Sequence, residues 1–75
     1  MQRPITKRSI VVGERKTSIS LESEFFDAFK DVAHRERKHL GTLAQEIDAN
    51  RASGTNLSSA IRLYVLADLQ RRAGA

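Results

Sequence analysis

The sequence predicts a mainly α domain in which one N-terminal β-strand pairs across an intertwined homodimer and is followed by three helices. Three observations carry this expectation. Residues 15–21 alternate polar and apolar with period two, and three later stretches repeat apolar residues at helical spacing. The chain has 75 residues and no cysteine, so a lone copy buries little core and has no disulfide to support it. Association, with folding coupled to it, is the expected source of stability.

In residues 15–21, Thr17, Ile19 and Leu21 share one face while Lys16, Ser18 and Ser20 share the other, with β-branched residues frequent and no Pro. Upstream, residues 8–12 form a second, shorter extended candidate, and Gly13-Glu14 between the two suits a hairpin turn with Gly first. An isolated two-stranded hairpin is marginal in water. Residues 1–14 therefore read as a basic arm with a possible short extra strand, and residues 15–75 as one domain.

The period then changes. Phe25, Phe26, Phe29, Val32 and Ala33 mark a helix over residues 23–38, with Asp27, Lys30, Asp31 and Arg35 facing away. Ser23 suits its N-cap and Glu24 its first turn, while Arg35, Arg37 and Lys38 suit the negative end of its dipole. Gly41 breaks the chain. Thr42-Leu43-Ala44-Gln45 matches a capping box opening a short second helix, with Leu43, Ala44 and Ile47 as its apolar stripe and an end near Arg51. After a loop at residues 52–55, Asn56 suits the cap of a third helix. Its expected buried stripe is Leu57, Ala60, Ile61, Tyr64, Val65 and Leu69, and Arg71, Arg72 and Gly74 end it.

Composition narrows the function classes. The formal charge is +4, and the first twenty residues, with five basic side chains and one acid, account for a charge equal to the whole of it. A basic arm leading into a nearly balanced body points to a polyanionic partner. The longest apolar runs, such as Tyr64-Val65-Leu66-Ala67, fall far short of the roughly 20 residues that span a bilayer. No basic-then-apolar leader opens the chain, so the expected location is the cytoplasm, associated with the nucleoid. His34 and His39 do not share a helix face, and neither a cysteine nor a carboxylate cluster completes a ligand set, so no metal and no cofactor are expected. Ser58-Ser59 lacks the surroundings of a nucleophile elbow. The chain does not read as an enzyme.

A single strand cannot satisfy its own backbone groups, and pairing it with its copy about a two-fold axis yields an antiparallel ribbon. Ile19 and Leu21 of both copies then face Phe26, Phe29 and Ile47 in a shared dimer core, while Lys16, Ser18 and Ser20 face outward. A two-stranded ribbon of this kind fits the DNA major groove. From Lys16 to about Asn50 the sequence resembles the ribbon-helix-helix family, the fold of the methionine and Arc repressors. The Leu57–Arg72 stretch resembles the added C-terminal helix of small bacterial members. The sequence departs from the family pattern at Glu22, where Pro is frequent, and at Ser18 and Ser20, where Arg, Gln or Asn are frequent. The resemblance implies double-stranded DNA binding by a homodimeric transcriptional regulator, with base contacts from Lys16, Ser18 and Ser20. It further implies phosphate contacts from Gly41, Thr42 and Leu43 at the start of the second helix, where exposed amides favour an anion. Lys7, Arg8 and Arg15 of the basic segment extend the expected phosphate set. Two alternatives stand beside this reading. One is a protein-interaction module, antitoxin-like or an adaptor, docking a larger protein through the third helix at Leu66. The other is a nonspecific architectural DNA binder.

Overall fold

In the computed structural model, which describes residues 5–74, two strands precede three helices. They are β1 (Ile5–Val12), β2 (Arg15–Glu22), α1 (Ser23–Arg35), α2 (Leu40–Asn50) and α3 (Leu57–Gly74). The first four residues of the basic arm, Arg3 among them, lie outside the described residues.

Gly13 and Glu14 join the strands in a two-residue turn. Gly13 has φ +65° and Glu14 a negative φ, the pattern of a turn that matches strand twist and wants Gly in its first position. The turn sets Val12 opposite Arg15, and from there Ile10 meets Thr17, Arg8 meets Ile19 and Thr6 meets Leu21. Where one N-terminal strand was expected with at most a short extra one, the chain supplies two full strands. β2 pairs antiparallel with β1 of the same chain, because the turn is short enough and correctly shaped to bring the two strands together. The short extra strand anticipated at residues 8–12 is thus an eight-residue element that begins at Ile5.

Period-two alternation now sorts both strands at once. Ile10, Val12, Ile19 and Leu21 turn inward and are buried with Phe29, Val32, Leu43, Ile47, Ile61 and Val65 in one core formed within a single chain. Phe26, expected in the core, is only partly buried. Its ring instead carries the Arg8 guanidinium 4.2 Å from its centroid and the Lys30 ammonium at 5.1 Å.

The helix termini differ from expectation in informative ways. α1 stops at Arg35, short of residue 38, because Arg37 enters the left-handed region at φ +58°. The Lys38 amide then bonds the Ala33 carbonyl at 2.9 Å and the Arg37 amide bonds that of His34 at 3.1 Å, a Schellman ending. Ser23 is the first helical residue and not the cap; Glu22 holds the cap position without a side-chain bond. α2 likewise begins before Thr42, with His39 at its cap position and Leu40 packed against the core. Gly41 is therefore not a break between helices but a residue of the first turn. A Cβ at Gly41 would lie 2.2 Å from the Val11 carbonyl oxygen, so only glycine lets α2 rest on the edge of β1. The Asn56 cap of α3 is present, its Oδ1 accepting from the Ser59 amide at 2.8 Å.

α3 closes the opposite edge of the ribbon. The Ser20 amide donates to Ser58 Oγ at 2.9 Å, and Arg62 donates to the Ser20 carbonyl at 3.0 Å and to Glu22 Oε1 at 2.9 Å. These bonds satisfy backbone groups that a strand edge would otherwise leave open. Leu69, expected in the buried stripe of α3, is 43% exposed, while Asp68 is buried at 4%. The reason is electrostatic. Arg35 at the end of α1 reaches Asp68 Oδ2 at 2.8 Å, and Arg71 and Arg72 bond the same carboxylate from its own helix at 3.2 Å each.

Three outcomes follow from this packing. Phe29→Ala, emptying a site with no exposure, should cost about 3–5 kcal/mol and abolish the cooperative melt of so small a domain. Gly41→Ala sets two effects against each other: helix propensity favours alanine by about 1 kcal/mol. The clash with backbone at Val11 costs about 1–3 kcal/mol, so chemical denaturation should show a net loss. The hydrogen bond from Arg35, opposed by burial and aided by the charges of Arg35, Arg72 and Arg71, holds the Asp68 carboxyl below the usual carboxylate range. A depressed folded-state value means stability that is present above the unfolded carboxylate range and is lost as pH falls through the lowered value. Asp68→Asn should therefore melt below the wild type at pH 7, with the two melting temperatures converging in strong acid.

Candidate nucleic-acid interface

Residues directly opposite in an antiparallel pair send their side chains to the same face. The outward face of the ribbon is thus built from Ile5 with Glu22, Lys7 with Ser20, Ser9 with Ser18, and Val11 with Lys16. Lys16 and Ser18 are exposed there, as expected, but Ser20 is half-buried because α3 closes its edge. Glu22 is half-buried as well. A backbone hydrogen bond at Glu22 itself, then the bond from Arg62, keep its carboxyl below the usual range, which fixes a negative charge at the end of the face remote from the turn. The open part of the face is consequently Lys7, Ser9, Val11, Lys16 and Ser18, all exposed and all toward the turn.

Ion pairing distinguishes this face from the rest of the surface. Arg62 pairs with Glu22, Arg35 with Asp31 and Asp68, Lys38 with Glu36 and Glu46, Arg51 with Asp48, and Lys30 with Asp27. The two acids also raise the Lys38 ammonium above its ordinary range, Glu46 foremost. Lys7, Lys16 and Arg37, in contrast, have no acidic partner among the described residues. The unneutralised charge therefore concentrates on the ribbon and on the turn before α2.

The remaining residues singled out from the sequence fall in different places. Arg8 lies on the core side of β1, committed to the Phe26 ring and to the Leu21 carbonyl at 3.3 Å. Arg15 is 75% exposed beside the turn, 3.8 Å from Asp48. Gly41 and Thr42 belong to the first turn of α2, whose leading amides have no partner within the helix. Leu43 is buried, and its amide is already bonded to the His39 carbonyl at 3.1 Å. An open depression of about 420 Å³ runs between this turn and the ribbon, bordered by Val11, Gly13, His39, Gly41, Thr42 and Gln45. The ribbon face and the start of α2 thus form one continuous surface.

Ser9, Val11 and Arg37 were missed from the sequence. The first two were legible through the turn: a two-residue loop at Gly13-Glu14 forces Val11 opposite Lys16 and Ser9 opposite Ser18. Arg37 carried no such signal, because its left-handed backbone is imposed by the α1–α2 connection. His34 and His39 are both exposed, and among the described residues no group of three metal-ligating side chains occurs. No helix among the described residues is long and apolar enough to cross a membrane.

Neither curated proteins nor solved structures gave a significant match. A family model described as "Ribbon-helix-helix domain" matches residues 5–69, from the first residue of β1 through most of α3. Domains of this family typically bind DNA in transcription regulators and are not enzymatic. On this match, and on the element order that agrees with it, the chain belongs to the ribbon-helix-helix family.

Proposed function

We propose that this protein binds double-stranded DNA as a transcriptional regulator, laying the outward face of its ribbon in the major groove. The observation that carries this reading is the placement of unpaired cations: among the described residues, Lys7 and Lys16 stand without acidic partners on an exposed, serine-bearing face, while most other cations are neutralised. Lys16, Ser18 and the outward edge of Ser20 meet base edges in this reading. Ser18 and Ser20 can bond several bases, so discrimination rests on their neighbours as well. Gly41 and Thr42 hold a phosphate at the start of α2, with Lys7, Arg15 and Arg37 placed to neutralise others. A homodimer is part of the proposal, since two ribbons related by a two-fold axis address two half-sites of a palindrome. Its setting is the nucleoid of a bacterial cytoplasm, and the chemistry requires no cofactor.

A second reading has its own support. Leu63 and Leu66 on the solvent side of α3 are 62% and 44% exposed, which suits docking on a larger protein partner, antitoxin-like or as an adaptor. A random-sequence duplex pool, bound and sequenced over a salt series, separates these functions. Enrichment of a palindromic sequence at physiological salt is expected; binding without enrichment would identify an architectural role. Absence of binding at low salt would leave the α3 surface as the functional one. In the same assay Lys16→Ala should weaken binding and lower the slope of log affinity against log salt by about one, because a cation laid in the groove also displaces a counterion from the neighbouring phosphates. An unchanged slope would show that Lys16 neutralises no phosphate and leave it a base contact alone.

A further inference from the structure

Val11 is an apolar side chain on a face whose other open members are lysine and serine. It is 58% exposed and sits directly across the ribbon from the unpaired Lys16. Its counterpart Ile5, similarly exposed, lies at the far end beside the Glu22–Arg62 ion pair, where a negative charge opposes a polyanion. A single exposed valine is ordinary on a protein surface. What sets Val11 apart is how firmly its backbone is held. The Gly41 Cα lies against its carbonyl so closely that no side chain fits between them, and the turn at Gly13 follows two residues on. A β-branched side chain on such a backbone has little rotamer freedom to lose on contact.

The major groove displays one apolar group, the 5-methyl of thymine, among hydrogen-bonding edges. We propose that Val11 reads thymine methyl groups, making β1, and not only β2, part of the base-reading surface. This rests on the DNA-binding reading above and adds to it the chemical feature recognised. Lys16 across the ribbon draws the face toward the duplex, and the start of α2, packed on the Val11 carbonyl, sets how deeply the side chain enters when Gly41 and Thr42 meet the backbone. Ser9 and Ser18 beside it bond base edges, leaving the apolar contact to Val11.

The test uses the full chain and the duplex that the random-sequence pool selects. Each thymine in that duplex is replaced in turn by uracil, which deletes the methyl and leaves base pairing intact. For the wild type, one or two replacements should weaken binding about fourfold, the fold-change for one buried methyl group. Val11→Ser, which removes both methyl groups at an exposed position, should keep the wild-type salt slope and a cooperative melt but bind the thymine and uracil duplexes alike. Should that variant melt early, Val11→Asn, also without a methyl group, serves in its place. Retention of the wild-type thymine preference by either variant would overturn the proposal. So would a wild type indifferent to every thymine methyl, or one that binds duplexes without selecting any sequence, although DNA binding itself would survive. No duplex binding at low salt would remove both readings together. A change in sedimentation mass of Val11→Ser without DNA would reassign Val11 to self-association and end its role as a reader.

Discussion

A two-residue turn at Gly13-Glu14 sets the register of the only sheet among the described residues, and the two faces of the molecule follow from that register. Because strand side chains alternate, one pairing decides sixteen positions at once. A slip of one residue would expose Ile10, Val12, Ile19 and Leu21 and bury Lys7, Ser9, Lys16 and Ser18. The left-handed φ of Gly13 is what holds the pairing, since a Cβ there would be strained. The hydrophobic core on one side and the cationic face on the other are two consequences of the same turn.

A two-stranded ribbon has two bare edges, and the helices are arranged to manage both. On the β1 edge, α2 approaches until its first turn touches the Val11 carbonyl, which requires glycine at position 41. On the β2 edge, Ser58 and Arg62 of α3 bond the amide and carbonyl of Ser20 in place of a neighbouring strand. The same contacts shape the candidate interface. They draw the residues near Glu22 into the body of the protein and leave open the part of the face nearest the turn. They also set the start of α2 beside that open part, so the ribbon face and the first turn of the helix border one depression.

Charge is distributed by the same logic. Asp68 on the buried side of α3 gathers Arg35, Arg71 and Arg72, joining the end of α1 to the end of the chain and satisfying a carboxylate that burial alone would penalise. Acids of the middle segment similarly occupy Lys38, Arg51 and Lys30. The net positive charge of the chain therefore emerges where acids are absent, on the ribbon and at Arg37. The balance of the body makes the imbalance of the face effective.

The alternation of residues 15–21, the helical spacing of Phe25, Phe29 and Val32, the Asn56 cap and the basic arm are local patterns. Neighbouring residues alone dictate them, along with the element order that marks the family. Glycines 13 and 41 show where local reading reaches its limit. Gly13 was legible as a turn residue because a hairpin needs it within four residues of chain. Gly41 looked like a helix break, yet it lies inside α2, and only the approach of a strand nearly thirty residues earlier explains it. The partner of β2, the exposure of Leu69 and the burial of Asp68 were likewise decided by tertiary structure. Each depends on which distant element supplies the hydrogen bond or the countercharge, and periodicity within a helix or strand carries no record of that. The outward set of β1 lies between these cases: it follows from the turn, but only once the two strands are known to pair within one chain.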